Sequence, residues 1–454
     1  MLDNIIILFY FLINIGVAIY YGAKTTKGYF EVRKKYSLTT LTATMFATAV
    51  GASTIILVSD KFCEHGIKFF FMLSGNYISQ LIVALFIITK MQKWLGCLTP
   101  ADVIADIFSP KLKSLCGWCS VLVSIGFVAI QLHAFGKIIQ YFYGFKMEYV
   151  VIVCSLFVVI YTAWGGLNSV IRTDIFQFCV IIIGIIFLAK MGLNSVGGIS
   201  ALLAELPEDK LDWRLNDIGE FNFFLNVALV GFNPSFLQRV FIAKDIIQAR
   251  NASLLYNFLA MIFFIIVGVC GLVACFHNPS LTTMVIPYLS QLILPDGVKG
   301  LIIAAILAAI MSTADSDLNI ASVSLYRDVF KKKINQNNIK FIRWLTFLLG
   351  IGSIVIALAF NQIIDILFFV IDFWAVTFMF PLIFGILGMV IDYKKLYIVI
   401  GASIFAMIIY QLLVANKLIS SNIIGCVVNI VTYLGFYFYK KYLYVEKNKE
   451  ASVI

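Results

Sequence analysis

The sequence predicts an all-α protein that crosses a membrane many times, and three observations carry that expectation. Of its 454 residues 61% are hydrophobic and 13% charged, with a mean hydropathy of +0.97. A soluble domain needs more polar surface than that to cover its core. Uncharged apolar stretches of the length that spans a bilayer recur along the whole chain. The alternating apolar and polar pattern of an outer-membrane barrel is absent.

The first span is expected at residues 5–21. Asp3 precedes it, while Lys24, Lys27, Arg33, Lys34 and Lys35 follow it. That is the reverse of a cleaved signal, so it reads as an anchored helix with its N-terminus outside. Twelve more spans are expected at 38–58, 67–91, 115–139, 149–164, 170–190, 221–242, 252–276, 298–326, 342–360, 363–391, 396–414 and 419–439. Numbering the leading helix zero makes these helices 1 to 12, about 13 in all, and puts the C-terminus in the cytoplasm. On this topology 25 of the 34 Lys and Arg residues are cytoplasmic, the asymmetry of the positive-inside rule. Orientation therefore accounts for the net charge of +10, and no nucleic-acid partner is needed. The acidic loop 205–220 falls outside and reads as solvated surface.

Catalysis has little to work with, so no enzyme is expected. There are three histidines, His65, His133 and His277, and no H-E-x-x-H, P-loop or nucleophile elbow. The one C-x-x-C, Cys116 to Cys119, lacks the βαβ setting of a redox motif and reads as helix packing.

The densest polar stretch inside a span is residues 304–333, AAILAAIMSTADSDLNIASVSLYRDVFKKK. It carries hydroxyls at Ser312, Thr313, Ser316, Ser322 and Ser324, carboxylates at Asp315 and Asp317, and a basic end. Polar groups inside a bilayer are costly and mark function, which points to ligands for an ion. Two helices also look interrupted. Helix 1 reads TATMFATAVGASTIIL around Val50-Gly51-Ala52, and in helix 6 Gly231 and Pro234 flank Phe232-Asn233. Either alone reads as a kink. Together, at corresponding places in two five-helix halves, they are the signature of an inverted-repeat secondary transporter.

Four stretches, TAWGGLNSVIRTDIFQ (162–177), NPSFLQRVFIAKD (233–245), LPDGVKGLIIAAILAAIMSTADSDLN (294–319) and ATAVGAST (47–54), with a shorter echo in KTTKGYFEVRKKYS (24–37), carry a resemblance. The chain resembles the sodium/solute symporters, which include the sodium/proline, sodium/glucose and sodium/pantothenate carriers. The resemblance implies a LeuT-type 5+5 inverted repeat, with one extra N-terminal and two extra C-terminal helices. The parts would be 1–22, a first repeat at 37–193, a second at 219–391, two helices at 392–442 and a cytoplasmic tail at 443–454. It implies import of a small organic solute by alternating access, with sodium as the co-transported ion. Sodium would lie between helices 1 and 8, on the carbonyls of Ala47, Val50 and Ala309 and the hydroxyls of Ser312 and Thr313. The residue pattern agrees, since sodium prefers oxygen ligands and Ala309, Ser312 and Thr313 share one helix face. In isolation such a Ser-Thr pair would bond back to its own helix. Asp174 matches an acidic family position near the inward ion exit, and Asp315 is placed on the same path. Asp174 reads equally as an N-terminal helix charge. Arg239 and Lys244 are expected to orient helix 6 on the cytoplasmic side. Proton coupling stays open, because Asp174, Asp315 and Asp317 could titrate in a wet cavity.

The same resemblance puts the solute between the breaks in helices 1 and 6 and helices 2, 3, 7 and 10. Candidate ligands are Gly51, Thr54, Asn76, Gln131, Asn226, Phe232 and Asn233, although the amides serve equally to join helices. Where sugar carriers present Gln, Glu and Lys, this chain has Thr54, Leu73 and Ala260. Where the proline carrier presents Asp and two Trp, it has Ala49, Ser53 and Asn226. A sugar and proline both lose support, leaving a small zwitterion or organic anion whose carboxylate a half-helix N-terminus could hold. The alternative function is a transporter-like sensor, which would need a separate partner because 443–454 has no room for a signalling module.

Overall fold

The computed structural model describes residues 2–30, 36–215, 217–333, 338–360, 370, 373–414 and 419–451. The expected bases Arg33, Lys34 and Lys35, and much of the first half of the expected span 363–391, lie outside the described residues. Every regular element among the described residues is helical. Among the described residues ten helices are long and apolar enough to cross a membrane, or eleven when one bent pair counts as a span. The sequence count was higher. It rests on a further short pair at 218–241 and on the partly described stretch after 363.

Among the described residues seventeen α-helices lead from the N-terminus to residue 359. α1 (Leu2–Tyr20) and the short α2 (Thr26–Phe30) precede the bent pair α3 (Leu38–Ala49) and α4 (Ala52–His65), which meet at 64°. α5 (Lys68–Ile82) runs on through a π-turn and a 3-10 turn to Lys90. α6 (Pro100–Ile107), α7 (Lys113–Tyr143), α8 (Met147–Gly165) and α9 (Leu167–Ser195) follow, then the short α10 (Ile199–Glu205) and α11 (Glu208–Leu211). α12 (Ile218–Val230) and α13 (Pro234–Phe241) are the second broken pair. α14 (Ile246–His277), α15 (Val285–Ile293), α16 (Lys299–Ser324) and α17 (Ile339–Ala359) complete this set.

Local chemistry accounts for the boundaries. Ser37 caps α3 by accepting from Thr40 N, and Asp245 caps α14 by accepting from Gln248 N at 2.8 Å. Pro100 and Pro234 sit in the first turns of α6 and α13, where a missing N–H costs nothing. α7 ends at Gly144, whose φ of 71° suits glycine.

α16 is the axis of the bundle. Every residue from Gly300 to Ser324 except Leu301 is buried, because α1, α3, α4, α7, α8, α9, α13 and α17 all pack on it. A helix with no polar face toward lipid or water is one enclosed by neighbours. Even α1 is tied in, through Tyr10 Oη on Met311 Sδ at 3.6 Å and Gln177 Nε2 on Asn14 Oδ1 at 3.0 Å. The last two helices, Tyr393–Leu413 and Ser421–Ala451, pack on each other, and Asn429 Nδ2 donates to Val376 O at 2.8 Å.

One expected surface is more enclosed than its charge suggested. Glu220, at the end of the acidic loop, is buried and paired with Lys68 at 2.5 Å. Cys116 and Cys119 are both buried in α7.

Candidate functional site

The seam between helices 1 and 8 forms where helical hydrogen bonding stops. Val50 N–H donates to Phe46 O at 2.8 Å, and Gly51 O takes Thr54 N–H and Ile55 N–H, both at 3.1 Å. Across the seam Ser312 Oγ donates to Ala47 O at 2.8 Å and approaches its own helix at Ala309 O, 3.2 Å. Ala47, Val50 and Ala309 are fully buried. Thr313 Oγ1 is buried with no hydrogen-bond partner among the described residues. Such an orphan is expensive in an apolar interior unless a ligand satisfies it. The donors are neutral oxygens, and no group of three or more His, Cys, Asp or Glu suited to a metal occurs among the described residues. That chemistry suits a hard monovalent cation better than a transition metal.

Next to the seam is a cavity of about 130 Å³. Of the expected residues, Val50, Thr54, Asn76, Gln131, Asn233 and Thr313 line it. Ala49, Ser53, Thr54, Leu73 and Ala260, five of the positions that differ from sugar and proline carriers, line it too. Gln131 crosses the break, with Nε2 donating to Ser53 Oγ at 2.7 Å and Oε1 3.4 Å from Ser53 N. Gly51 lies under that amide, and a Cβ there would sit 2.5 Å from Gln131 Nε2. Asn233 also caps α13 through Phe236 N at 2.9 Å.

Three expected solute residues are not among the lining residues: Gly51, which lies behind Gln131, and Asn226 and Phe232. Asn226 faces the C-terminal helix, donating to Ser420 Oγ at 2.6 Å and accepting from Asn422 Nδ2 at 2.6 Å. It joins helices. Phe232 is buried, and its carbonyl accepts from Trp374 Nε1 at 2.6 Å.

A polar cluster that sequence reasoning missed meets the cavity at Arg239. Arg239 was expected at the cytoplasmic surface, yet it lies inside α13, fully buried and in the cavity wall. Its Nε donates to Thr44 Oγ1 at 3.1 Å, its NH1 to Gln238 Oε1 at 2.8 Å, and its NH2 to Ser316 Oγ. Asp174 Oδ2 is 3.4 Å from NH2 and accepts from Thr44 Oγ1. The guanidinium is tolerated because one carboxylate, two hydroxyls and one amide oxygen meet it. The expected exit residues are accordingly enclosed. Asp174 is fully buried, as is Asp315, which accepts from the hydroxyls of Tyr161 and Thr162. Asp317 lines the cavity instead. One signal was available: Gln238-Arg239 follows the helix 6 break by only one turn.

A model of the Sodium:solute symporter family matches residues 29–392. A "Sodium/glucose cotransporter" of Vibrio parahaemolyticus is 23% identical over 389 residues, covering 74% of this chain and 70% of its own length. A "Sodium/proline symporter" of Staphylococcus aureus is 27% identical over 329 residues, 66% of this chain, and the match spans 63% of that relative, under two thirds. Among solved structures, a Na+-coupled sialic acid symporter in a substrate-bound outward-open state has a TM-score of 0.82 at 21% identity, covering 95% of this chain and 96% of its own. MhsT in complex with L-phenylalanine has a TM-score of 0.59 at 16% identity, covering 89% of this chain and 99% of its own. At these identities the two structures speak to the fold alone, and both are LeuT-type. The chain belongs to the sodium:solute symporter family, polytopic membrane carriers that couple the movement of a small solute to sodium.

Proposed function

We propose that this sodium-coupled symporter imports a small zwitterion or organic anion. Sodium is held at the break in helix 1 by the carbonyls of Ala47, Val50 and Ala309 and the hydroxyls of Ser312 and Thr313. The observation that carries the reading is the Ser312 hydroxyl reaching across to Ala47 O beside the unpartnered Thr313 hydroxyl. An ion there would tie α3 to α16 and stiffen the wall of the adjoining cavity. The first turn of α4 and the amides of Gln131 and Asn76 supply donors at that cavity, while Leu73 and Ala260 make its wall apolar. A carboxylate suits that set better than a polyhydroxyl sugar.

The repeats 37–193 and 219–391 would rock about this site, with the N-terminus outside and the C-terminus in the cytoplasm. In this scheme the Arg239–Asp174 cluster closes the cytoplasmic path, and Asp174 and Asp315 meet the ion only after that cluster opens. The test is reconstitution into liposomes with a panel of radiolabelled amino acids and organic acids, under a sodium gradient or a pH gradient. Accumulation of a carboxylate-bearing solute driven by sodium is expected. Accumulation driven only by the pH gradient would replace sodium with a proton, and binding without flux would favour a sensor.

A further inference from the structure

Beyond Ser324 the central helix continues through a π-turn, Leu325–Val329, into a strongly basic recess of about 550 Å³. Its wall contains Lys113, Arg327, Lys331, Lys332 and Lys333, with Asp328 the single carboxylate. The deeper bases are paired. Asp102 accepts from Lys113 Nζ at 2.8 Å and from Arg327 NH1 at 2.5 Å, and Asp328 Oδ1 lies 3.5 Å from Lys113 Nζ. Burial works against the charge of Asp102, but Arg327 and Lys113 still hold its carboxyl below the usual carboxylate range. Five bases against Asp102 and Asp328 leave three positive charges, and they belong to the exposed rim. Lys331, Lys332 and Lys333 make no ion pair among the described residues.

That rim is built rather than loose. Lys331 has a φ of 53°, the left-handed conformation that commonly ends a helix and is uncommon for a lysine. The turn is held by Phe330 N–H on Leu325 O at 3.0 Å and Lys332 N–H on Tyr326 O at 3.2 Å, the bonds of a helix end, and by Tyr326 Oη on Lys333 O at 3.3 Å. Orientation by the positive-inside rule would explain three lysines after a span, but requires neither this turn nor convergence with Lys113. Exposed aromatic rings continue from the rim. Phe330 packs on Phe341 at 6.2 Å, and Trp344 lies one turn further along α17, 54% exposed. Aromatic side chains collect at the level of lipid headgroups.

We propose that this recess binds the phosphate of an anionic phospholipid, with Lys331–Lys333 supplying the charge and Phe330, Phe341 and Trp344 lying along the acyl chains. A basic pocket between membrane helices is the expected receptor for such a headgroup. The recess is separate from the ion seam and the solute cavity, so it stands whether or not their proposed ligands are right.

The test is native mass spectrometry of the purified full chain in detergent, titrated with dioleoyl phosphatidylglycerol, dioleoyl phosphatidylcholine or inorganic phosphate. Phosphatidylglycerol should bind far more tightly than phosphatidylcholine. The Lys331→Gln/Lys332→Gln/Lys333→Gln variant should weaken it by about 100-fold, and the corresponding Lys→Arg variant should retain it. Potassium chloride should release it from the unaltered protein, a readout that needs no variant to fold. Equal retention by the Gln variant, equal binding of phosphatidylcholine, or indifference to potassium chloride would overturn the proposal. So would displacement by inorganic phosphate at an ionic strength where potassium chloride leaves the lipid bound, which would make the recess a free-phosphate site.

Discussion

Ser312 and Thr313 are adjacent in sequence but differ in what they touch. Ser312 already has the Ala47 carbonyl, whereas Thr313 Oγ1 has no partner among the described residues. If both are sodium ligands, Ser312→Ala and Thr313→Val should each raise the sodium concentration for half-maximal uptake by roughly 10- to 100-fold, the scale of a hydrogen bond to charge. Uptake titrated with sodium at fixed ionic strength measures this. Gly51 makes a different prediction. Its φ of −80° is ordinary, so the requirement is space beneath Gln131. Gly51→Ala should push that amide off Ser53 and raise the KM for solute by about tenfold, from an overpacking cost of about 1–3 kcal/mol. Asp174→Asn would leave the Arg239 guanidinium buried without its carboxylate. That should cost about 3–5 kcal/mol, seen as a lower unfolding temperature in detergent. In the sequence Ser312 and Thr313 stood out through the family resemblance, and the i, i+3 and i+4 spacing with Ala309 showed only that the three share a face. The buried role of Arg239 was signalled only by its place just after the helix 6 break. Its partners Thr44, Asp174 and Ser316 come from three other helices, and the positive-inside rule counts a base without knowing its depth.

At the scale of elements, the two breaks set the geometry. Proline and a capping asparagine restart helix 6 at Pro234, and Gly51 with its small neighbours allows helix 1 to turn by 64°. Both breaks were legible because Gly and Pro act locally. The contact of Asn226 with Ser420 and Asn422 was not, because helical periodicity does not say which neighbour a polar face will meet. A second connection concerns α15. Asp60, on α4, accepts backbone N–H groups from Met284 at 3.2 Å and Val285 at 2.9 Å, so α15 is fastened to the half-helix beyond the break. Asp60→Asn should make the Met284 and Val285 amides exchange with deuterium about 10- to 100-fold faster, from the loss of charge-assisted bonds of about 1.5–3 kcal/mol. Unchanged exchange there would show that α15 is held by its apolar contacts alone.

The whole molecule is arranged round α16. In the most apolar window of each helix, 94% of the residues are buried for α16 and its extension, against 17% for α1. One helix therefore carries the hydroxyls of the ion seam, Ser316 of the Arg239 cluster and the basic turn at its end. Sodium at the seam would fasten α16 to α3, so it should stabilise the folded protein even without solute. At a concentration 100 times its dissociation constant a ligand adds about 2.7 kcal/mol. The direct measurement is the unfolding temperature of the purified chain in detergent, in sodium chloride against equal potassium chloride. It should rise with sodium in the unaltered protein, and the rise should vanish in Ser312→Ala/Thr313→Ala. A sodium-dependent rise of equal size in that double variant, or none in the unaltered protein, would contradict the site.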